Sequence, residues 1–316
     1  MYSSNRRGMV GAVCVASLTM AALSACASPA VSASPAADIE PRVSSTPTPT
    51  PEYAGPEVER DHEEMDTGSF DADSATVDNP WLPLVPGTRF VYKGTTVDKK
   101  EKFAHTLEFT VTDLTKRVAG VNTVVAYAVD YEEDELVEKE VAFFAQDSSG
   151  SVWYLGEHPE EFEDGEFDKA PTWIHGVSGA KAGFAMPANP RAGTPSFSEG
   201  WAPKVDFLDR GRITGFEPEV CTKLKCYADV LVIDEFTRAE PNAVQVKYYA
   251  NGVGNVKVGW RGDDTQKEEL ELDQVTRLDP KKLADVRTRA LTLEEHAYLI
   301  SPTIYGTTEP MRRTSA

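Results

Sequence analysis

Residues 101–132 read EKFAHTLEFTVTDLTKRVAGVNTVVAYAVDYE. In the first half, apolar side chains such as Leu107 and Phe109 alternate with polar ones such as Glu108, which is the period-two pattern of a half-buried strand. In the second half, residues 121–131 carry Val, Ala or Tyr at most positions, so this strand is apolar on both faces. We therefore predict two β-strands, the second of them central in a sheet.

The same pattern of short apolar runs separated by turn residues continues along the chain. Asp164-Gly165 is a strong hairpin signal. Further strands are predicted at 88–94, 213–220, 227–236, 244–250, 256–260 and 269–277. Because no amphipathic helix of crossover length lies between them, we expect an antiparallel meander. The prediction is a mainly β domain over residues 79–280, formed by a strongly curved sheet or an open barrel.

Two regions do not show this pattern of short apolar runs separated by turn residues. Residues 169–204 are rich in Gly, Pro, Ala and Trp without a clear period, so we expect a long structureless loop, a kind of segment that is often functional. After Asp279-Pro280 the pattern becomes helical, and Thr292–Glu295 matches a capping box. Residues 281–316 are therefore predicted to form short helices and a tail that frays from about Tyr305.

Residues 1–25 have the composition of a secretion signal. Arg6 and Arg7 precede an apolar run that is shorter than the ~20 residues a membrane-spanning helix needs. Leu23-Ser24-Ala25-Cys26 resembles the lipobox of bacterial lipoproteins, in which the cysteine receives a lipid and becomes the first residue. The alternative is an ordinary small-residue cleavage site beside a chance cysteine. Arg6 and Arg7 are compatible with export by either the general secretory route or the twin-arginine route.

Residues 26–78 are predicted to form a lipidated, disordered tether. They are rich in Pro, Ser and Thr and then acidic, and they hold too few apolar side chains to offset the entropy lost on ordering. Two or more acyl chains on Cys26 hold a protein stably at a bilayer. We therefore predict an extracytoplasmic protein that is attached to the cell membrane through its N-terminal lipid.

The charge of the chain argues against nucleic acid as a partner. The formal net charge is −19, with 51 acidic against 32 basic residues, whereas phosphate binding requires a basic surface.

Cys221 and Cys226 are the two cysteines of the predicted domain. Because they lie five residues apart in a chain with a secretion signal, we predict that they form a disulfide. The alternative is a zinc site, but the two further ligands that zinc requires do not lie nearby.

No sequence pattern indicates catalysis, a metal or a cofactor. The five histidines are scattered, and a P-loop, a dinucleotide-binding loop and a nucleophile elbow are all lacking. Acidic clusters are frequent, but Asp71–Ala75 does not match a calcium loop. A hydrolase is the third hypothesis, and it would require Ser178 or a carboxylate pair to converge with His175 in a pocket.

Several aromatic residues lie next to Gly- and Pro-rich loops. We predict that five of them line a groove for an apolar or amphiphilic ligand: Trp81, Trp153, Tyr154, Trp173 and Tyr248. The alternative is that these side chains fill the core of a curved sheet.

Four segments of the chain resemble a family of uncharacterised actinobacterial envelope lipoproteins, which share an NPW-x-PL-x-PGT opening and a late YYA-x-GVG strand. They are NPWLPLVPGTRFVYKG (79–94), AQDSSGSVWYLGE (145–157), AGFAMPANPRAG (182–193) and VKYYANGVGNV (246–256). The resemblance implies an envelope lipoprotein and assigns no activity. In outline, the domain is also similar to lipid-carrier lipoproteins built on a curved sheet, but a shared fold does not fix function.

These observations favour a non-enzymatic, membrane-tethered binding module for an apolar or amphiphilic envelope ligand. The predicted lipid anchor, the aromatic residues and the lack of a catalytic pattern all support this hypothesis. The alternative is a structural or protein-interaction component of the cell envelope.

Overall fold

A computed structural model describes residues 52–98 and 101–314 of the chain. The strands are β1 (Thr88–Asp98), β2 (Glu101–Val118), β3 (Val121–Glu132), β4 (Glu135–Gln146), β5 (Val152–Glu163), β6 (Glu166–Lys169), β7 (Trp173–Ile174), β8 (Lys181–Met186), β9 (Phe197–Ser198), β10 (Gly200–Trp201), β11 (Arg210–Cys221), β12 (Cys226–Phe236), β13 (Ala243–Ala250), β14 (Gly254–Gly262), β15 (Lys267–Arg277) and β16 (Arg312–Arg313). The helices are a 3-10 helix (Thr67–Ser69), α1 (Pro280–Ile300) and α2 (Pro302–Tyr305).

The strands pair antiparallel in one sheet. β1 to β5 pair in chain order, β11 to β15 pair in chain order, and β1 pairs with β15 to join the two halves. β8 pairs with β5, β9 pairs with β11, and only Glu199 separates β9 from β10, which pairs with β8. The sheet is therefore a nearly closed barrel with one seam, between β8 and β9. The predicted mainly β, antiparallel fold is confirmed.

Residues 169–204 close this barrel instead of forming the structureless loop that we expected. They contain β7, β8, β9 and β10, which add to the strands on either side of the seam. Three of these strands are only two residues long. A two-residue strand is too short to produce a period-two pattern, which is why the sequence did not reveal it.

The seam brings two backbone segments very close together. A Cβ atom at Gly183 of β8 would overlap the backbone of Ser198 and Glu199. Only glycine allows this approach, because every other residue carries a Cβ atom.

Gly183→Ala should therefore destabilise the barrel, since the added methyl group forces the two segments apart. We expect a loss of about 1–3 kcal/mol or more in the free energy of unfolding, measured by urea denaturation. Gly259→Ala on β14 is the matched control, because the nearest atom to its added Cβ lies 3.8 Å away. Equal losses for the two variants would contradict the close approach at the seam.

One long helix, α1, packs across β2 and β4. It begins after Asp279, whose carboxylate accepts a hydrogen bond from the backbone N–H of Lys282, with Pro280 in the first turn. Thr292, which we expected to cap a helix, lies inside α1. The prediction of short helices is therefore corrected to one 21-residue helix and the short α2.

The residues after α1 return to the sheet, contrary to the prediction of a frayed tail. The ammonium group of Lys116 on β2 is buried, donates to Glu294 Oε1 at 2.7 Å, and lies 4.6 Å from the ring centroid of Tyr305. Tyr305 is itself fully buried, and β16 pairs with β2. The Lys116–Glu294 ion pair, the Tyr305 ring and the pairing of β16 with β2 therefore hold the C-terminal residues against the sheet, as far as the last described residues.

Residues 52–78 lie against the barrel, although the sequence assigns them to a disordered tether. The buried carboxylate of Glu63 accepts a 2.9 Å hydrogen bond from the backbone N–H of Ser198 at the seam. Arg210 of β11 donates to the carbonyl oxygen of Arg60 at 2.7 Å. These polar contacts order the segment together with apolar ones, since Val77 is buried in the core of the barrel and other apolar side chains of the segment pack against that core. The rest of the predicted tether, Cys26 and the signal segment lie outside the described residues.

The hairpin between β11 and β12 carries the predicted disulfide. Cys221 and Cys226 face each other in register at its tip, and their sulfur atoms are bonded.

Candidate functional site

The barrel contains a partly open cavity of about 190 Å³. Side chains alternate across a strand, so every second residue of the surrounding strands faces inward. On β4 the inward residues are Glu138, Glu140, Ala142 and Phe144. Their neighbour Phe143 faces outward, towards the ammonium group of Lys116. The inward face of β4 thus carries both acidic and apolar side chains, and the lining of the whole cavity, which is mostly apolar, combines the same two kinds.

One wall of the cavity is apolar. It is formed mainly by Leu82, Leu84, Phe90, Leu107, Phe109 and Phe144. The ring of Phe144 stacks on that of Tyr154, with 4.8 Å between their centroids. A wall of this kind favours hydrocarbon over water.

All four segments of the family resemblance reach this cavity. They contribute Leu82, Tyr154, Ala185 and Tyr249, among other residues, to its lining. The side-chain amide of Asn79, which is 2% exposed, donates to carbonyl oxygens of the second and third segments. The first and fourth segments are joined by a 2.7 Å hydrogen bond from the backbone N–H of residue 252 to the carbonyl oxygen of residue 80.

The adjoining part of the lining, on β3 and β4, carries a cluster of carboxyl groups around Glu138 and Glu140. Burial raises the pKa of Glu140 to about 7, and burial together with the nearby charge of Glu140 raises the pKa of Glu138 well above its usual range. The Tyr154 hydroxyl donates to Glu140 Oε1 at 3.3 Å and also to Glu157. The indole N–H of Trp173 donates to Glu157 Oε1 at 3.0 Å. These carboxyl groups therefore tend to keep protons at neutral pH.

A second acidic group lies at the seam. Glu199 and Glu235 line the cavity, and Lys247 Nζ lies 2.6 Å from Glu235 Oε2. Although burial opposes ionisation of the lysine, Glu235 raises the pKa of Lys247, so this ammonium group stays charged. Burial and the charge of Glu235 raise the pKa of both Glu199 and Asp209. Among the described residues that line the cavity, Lys247 is the only basic one.

At another edge of the cavity, His105 forms an ion pair with the acidic residue Asp130. Its Nε2 lies 2.5 Å from Asp130 Oδ1, and its Nδ1 lies 3.0 Å from Glu268 Oε1. Although burial opposes protonation, these two carboxylates raise the pKa of His105 to about 10. A histidine that remains an imidazolium at neutral pH cannot act as a general base. His105 is therefore a fixed counter-ion.

The predicted aromatic groove is not what the structure shows. Tyr154 lines the cavity, but Trp153, its neighbour on β5, points to the other face, where it packs 4.2 Å from the ring centroid of Phe184. Trp173 is 2% exposed and stacks on Phe207. These two tryptophans fill the core, as the alternative interpretation held.

The other two predicted aromatic residues lie near the cavity without lining it. Trp81 is half-buried and packs on Phe216, with 5.6 Å between the ring centroids. Tyr248 packs against the outer apolar cluster, and its neighbour Tyr249 lines the cavity instead. The choice between adjacent residues depends on which strand face turns inward, and the sequence pattern alone does not give that direction.

The residues considered for hydrolysis do not converge. His175 Nδ1 accepts a 2.9 Å hydrogen bond from the backbone N–H of Ala182, while Ser178 is exposed at a turn. Neither residue belongs to the described lining of the cavity.

The acidic residues of the cavity were missed at the level of the sequence. Glu138, Glu140, Ala142 and Phe144 share one parity on β4, and that pattern was the available signal. Charged residues on one strand face normally indicate solvent. Closure of the barrel instead turns this face inward.

Comparisons with known proteins give distant structural likenesses. No protein-family model and no curated protein matches the chain. A crystal structure from Bacteroides fragilis, described as an exported protein with a YmcC-like fold, is similar with a TM-score of 0.36 and 11% identity, over 62% of this chain and 98% of that one. A structure from Parabacteroides distasonis, described as a lipoprotein, is similar with a TM-score of 0.34 and 12% identity, over the same shares. At these TM-scores the structural similarity gives no information about function.

Within residues 52–98 and 101–314, no helix combines the length and the apolar character needed to cross a bilayer.

The buried carboxyl groups should make stability depend on pH. Because the pKa of Glu140 rises from 4.5 in the unfolded chain to about 7, the folded protein binds more protons than the unfolded chain between these values. The free energy of unfolding should therefore fall as the pH rises through this window, by up to roughly 1.4 kcal/mol per pH unit for each such group.

In the Glu140→Gln variant the free energy of unfolding should decrease less steeply with pH, as measured by urea denaturation between about pH 4 and 8. Glu166→Gln is the matched control, because Glu166 is exposed on β6 and should leave the slope unchanged. Identical slopes in the Glu140→Gln variant and the unmodified protein would contradict a proton-holding Glu140.

Proposed function

We propose that this protein is a lipid-anchored, extracytoplasmic binding module that holds an amphiphilic ligand in the barrel cavity. The anchor is a lipid on Cys26, and the domain binds its ligand without chemical conversion.

The observation that carries this proposal is the division of the cavity into two unlike walls. Leu84, Phe109 and Phe144 belong to the apolar wall, whereas Glu138 and Glu140 belong to the acidic wall. An amphiphile satisfies both walls at once, because its hydrocarbon part leaves water and its polar part meets hydrogen-bonding groups. A purely apolar ligand would leave the buried carboxyl groups unsatisfied.

The size of the cavity limits what enters it. The volume of about 190 Å³ exceeds the roughly 150 Å³ of an engineered apolar cavity that binds benzene. A small amphiphile, or one end of a larger one, therefore fits.

Two separate parts of the chain support the proposed extracytoplasmic location. The basic, apolar and lipobox-like segments in residues 1–26 favour export and lipidation. The bonded pair Cys221 and Cys226 is typical of an oxidising compartment.

Protein extracted from membranes should carry a small ligand that native mass spectrometry detects and denaturation releases. Ala142→Leu and Ala128→Leu each add volume to the cavity wall, so they should retain about tenfold less ligand or lower while keeping a cooperative thermal transition. Val85→Ala is the control, because Val85 is 47% exposed and lies in the same segment as Leu84. An empty cavity in the unmodified protein, or equal retention in the filled variants, would overturn the binding role.

The anchor is tested separately with Cys26→Ala. This variant should move from the membrane fraction to the soluble fraction, because one or more acyl chains are lost. Intact-mass analysis of the unmodified protein should show a chain that begins at Cys26 with added lipid mass. A Cys26→Ala variant that stays equally membrane-bound would refute the anchor.

A further inference from the structure

We propose that the polar end of the ligand is a protonated amine, held by Glu138 and Glu140 while the hydrocarbon part lies along the apolar wall. This inference rests on the proposed function and narrows it to cationic amphiphiles.

The first argument is the balance of charged groups around the cavity. Five acidic side chains line it: Asp130, Glu138, Glu140, Glu199 and Glu235. His105 contacts Asp130, and Lys247 contacts Glu235.

Glu138, Glu140 and Glu199 make no ion pair with a Lys, Arg or His side chain in the described part of the chain. Buried carboxyl groups normally have a cationic partner or lose their charge. Without a cation Glu138 and Glu140 therefore keep their protons, and a ligand cation would supply the partner with which they ionise.

The second argument is an unpaired oxygen atom behind the lining of the cavity, in a residue that influences its acidic groups. Asp209 is 3% exposed, and its Oδ2 atom has no hydrogen-bond partner. The Asp209 carboxyl group acts electrostatically on Glu157 and Glu199, so it belongs to the same acidic cluster. Buried polar atoms are nearly always paired in folded proteins, and exceptions occur where a ligand completes the pairing. The acidic cluster thus contains a buried polar atom that the described part of the protein leaves unpaired.

The third argument favours an ammonium group over a bare metal ion. Calcium takes about 6–8 oxygen ligands, whereas here the lining next to the carboxyl groups consists of Phe90, Phe109 and other apolar side chains. An ammonium group needs only three acceptors, and its hydrocarbon chain uses the apolar wall. Aromatic faces such as that of Phe144 also attract organic cations.

The test compares three probes with the same chain length: n-hexylamine, hexan-1-ol and hexanoate. Each is titrated calorimetrically into the full chain after its retained ligand has been exchanged out. We expect n-hexylamine to bind about tenfold or more tightly than hexan-1-ol, and hexanoate to bind most weakly. Binding of the amine should also release protons to the buffer, because the ammonium group displaces protons from the carboxyl pair.

Glu138→Gln/Glu140→Gln should weaken n-hexylamine binding about tenfold and leave hexan-1-ol binding within twofold. The matched control is Glu166→Gln/Glu295→Gln, which removes the same charge from two exposed positions and should leave amine binding unchanged. If both double variants weaken the amine equally, its binding reflects the general acidity of the protein, and the inference fails.

Three further outcomes separate this inference from the proposed function and from a metal site. Equal affinity for n-hexylamine and hexan-1-ol would overturn the amine inference and leave an amphiphile-binding module. Failure of all three probes, together with an empty cavity in native mass spectrometry, would overturn the proposed function as well. Calcium binding that Glu138→Gln/Glu140→Gln abolishes, without amine binding, would replace the amine with a metal ion.

Discussion

The pairing of β1 with β15 joins two five-stranded meanders into one curved sheet. Once the sheet curves back on itself, each strand has one face inside and one face outside. On β4 this geometry places Glu138 and Glu140 inside, beside Phe144, and their neighbours outside. The short strands at residues 197–201 and the close approach at Gly183 nearly complete the closure. The cavity, its two unlike walls and the perturbed acids all depend on this closure.

Burying a charged group costs free energy, and the titratable groups inside the barrel avoid this cost in two different ways. Asp130 and Glu235 form ion pairs with His105 and Lys247, so each of these buried carboxyl groups has a basic partner within the fold. Glu140 and its neighbours have no such partner, and burial instead raises their pKa. Perturbed acids in a cavity are typical of functional sites, because selection for stability alone would remove them.

Much of the architecture was predictable because the strands are long and carry period-two patterns, as residues 101–132 illustrate. The paired cysteines also gave a reliable local signal. The direction of each strand face was not predictable, so Trp153 was expected in the site together with Tyr154, which alone of the two lines it, and Tyr248 was expected where Tyr249 lies. The placement of residues 52–78 was also missed, because contacts such as that of Glu63 with the seam depend on a surface that only the folded barrel provides.

The central claim is that the barrel holds an amphiphile between an apolar wall and a carboxyl wall. The most direct measurement is a crystal structure of protein extracted from its membrane at neutral pH, with the electron density of the cavity examined. The account predicts continuous non-protein density along Phe109 and Phe144, ending within hydrogen-bond distance of Glu138 or Glu140. A cavity that holds only separate water molecules, or one that side chains fill completely, would contradict it.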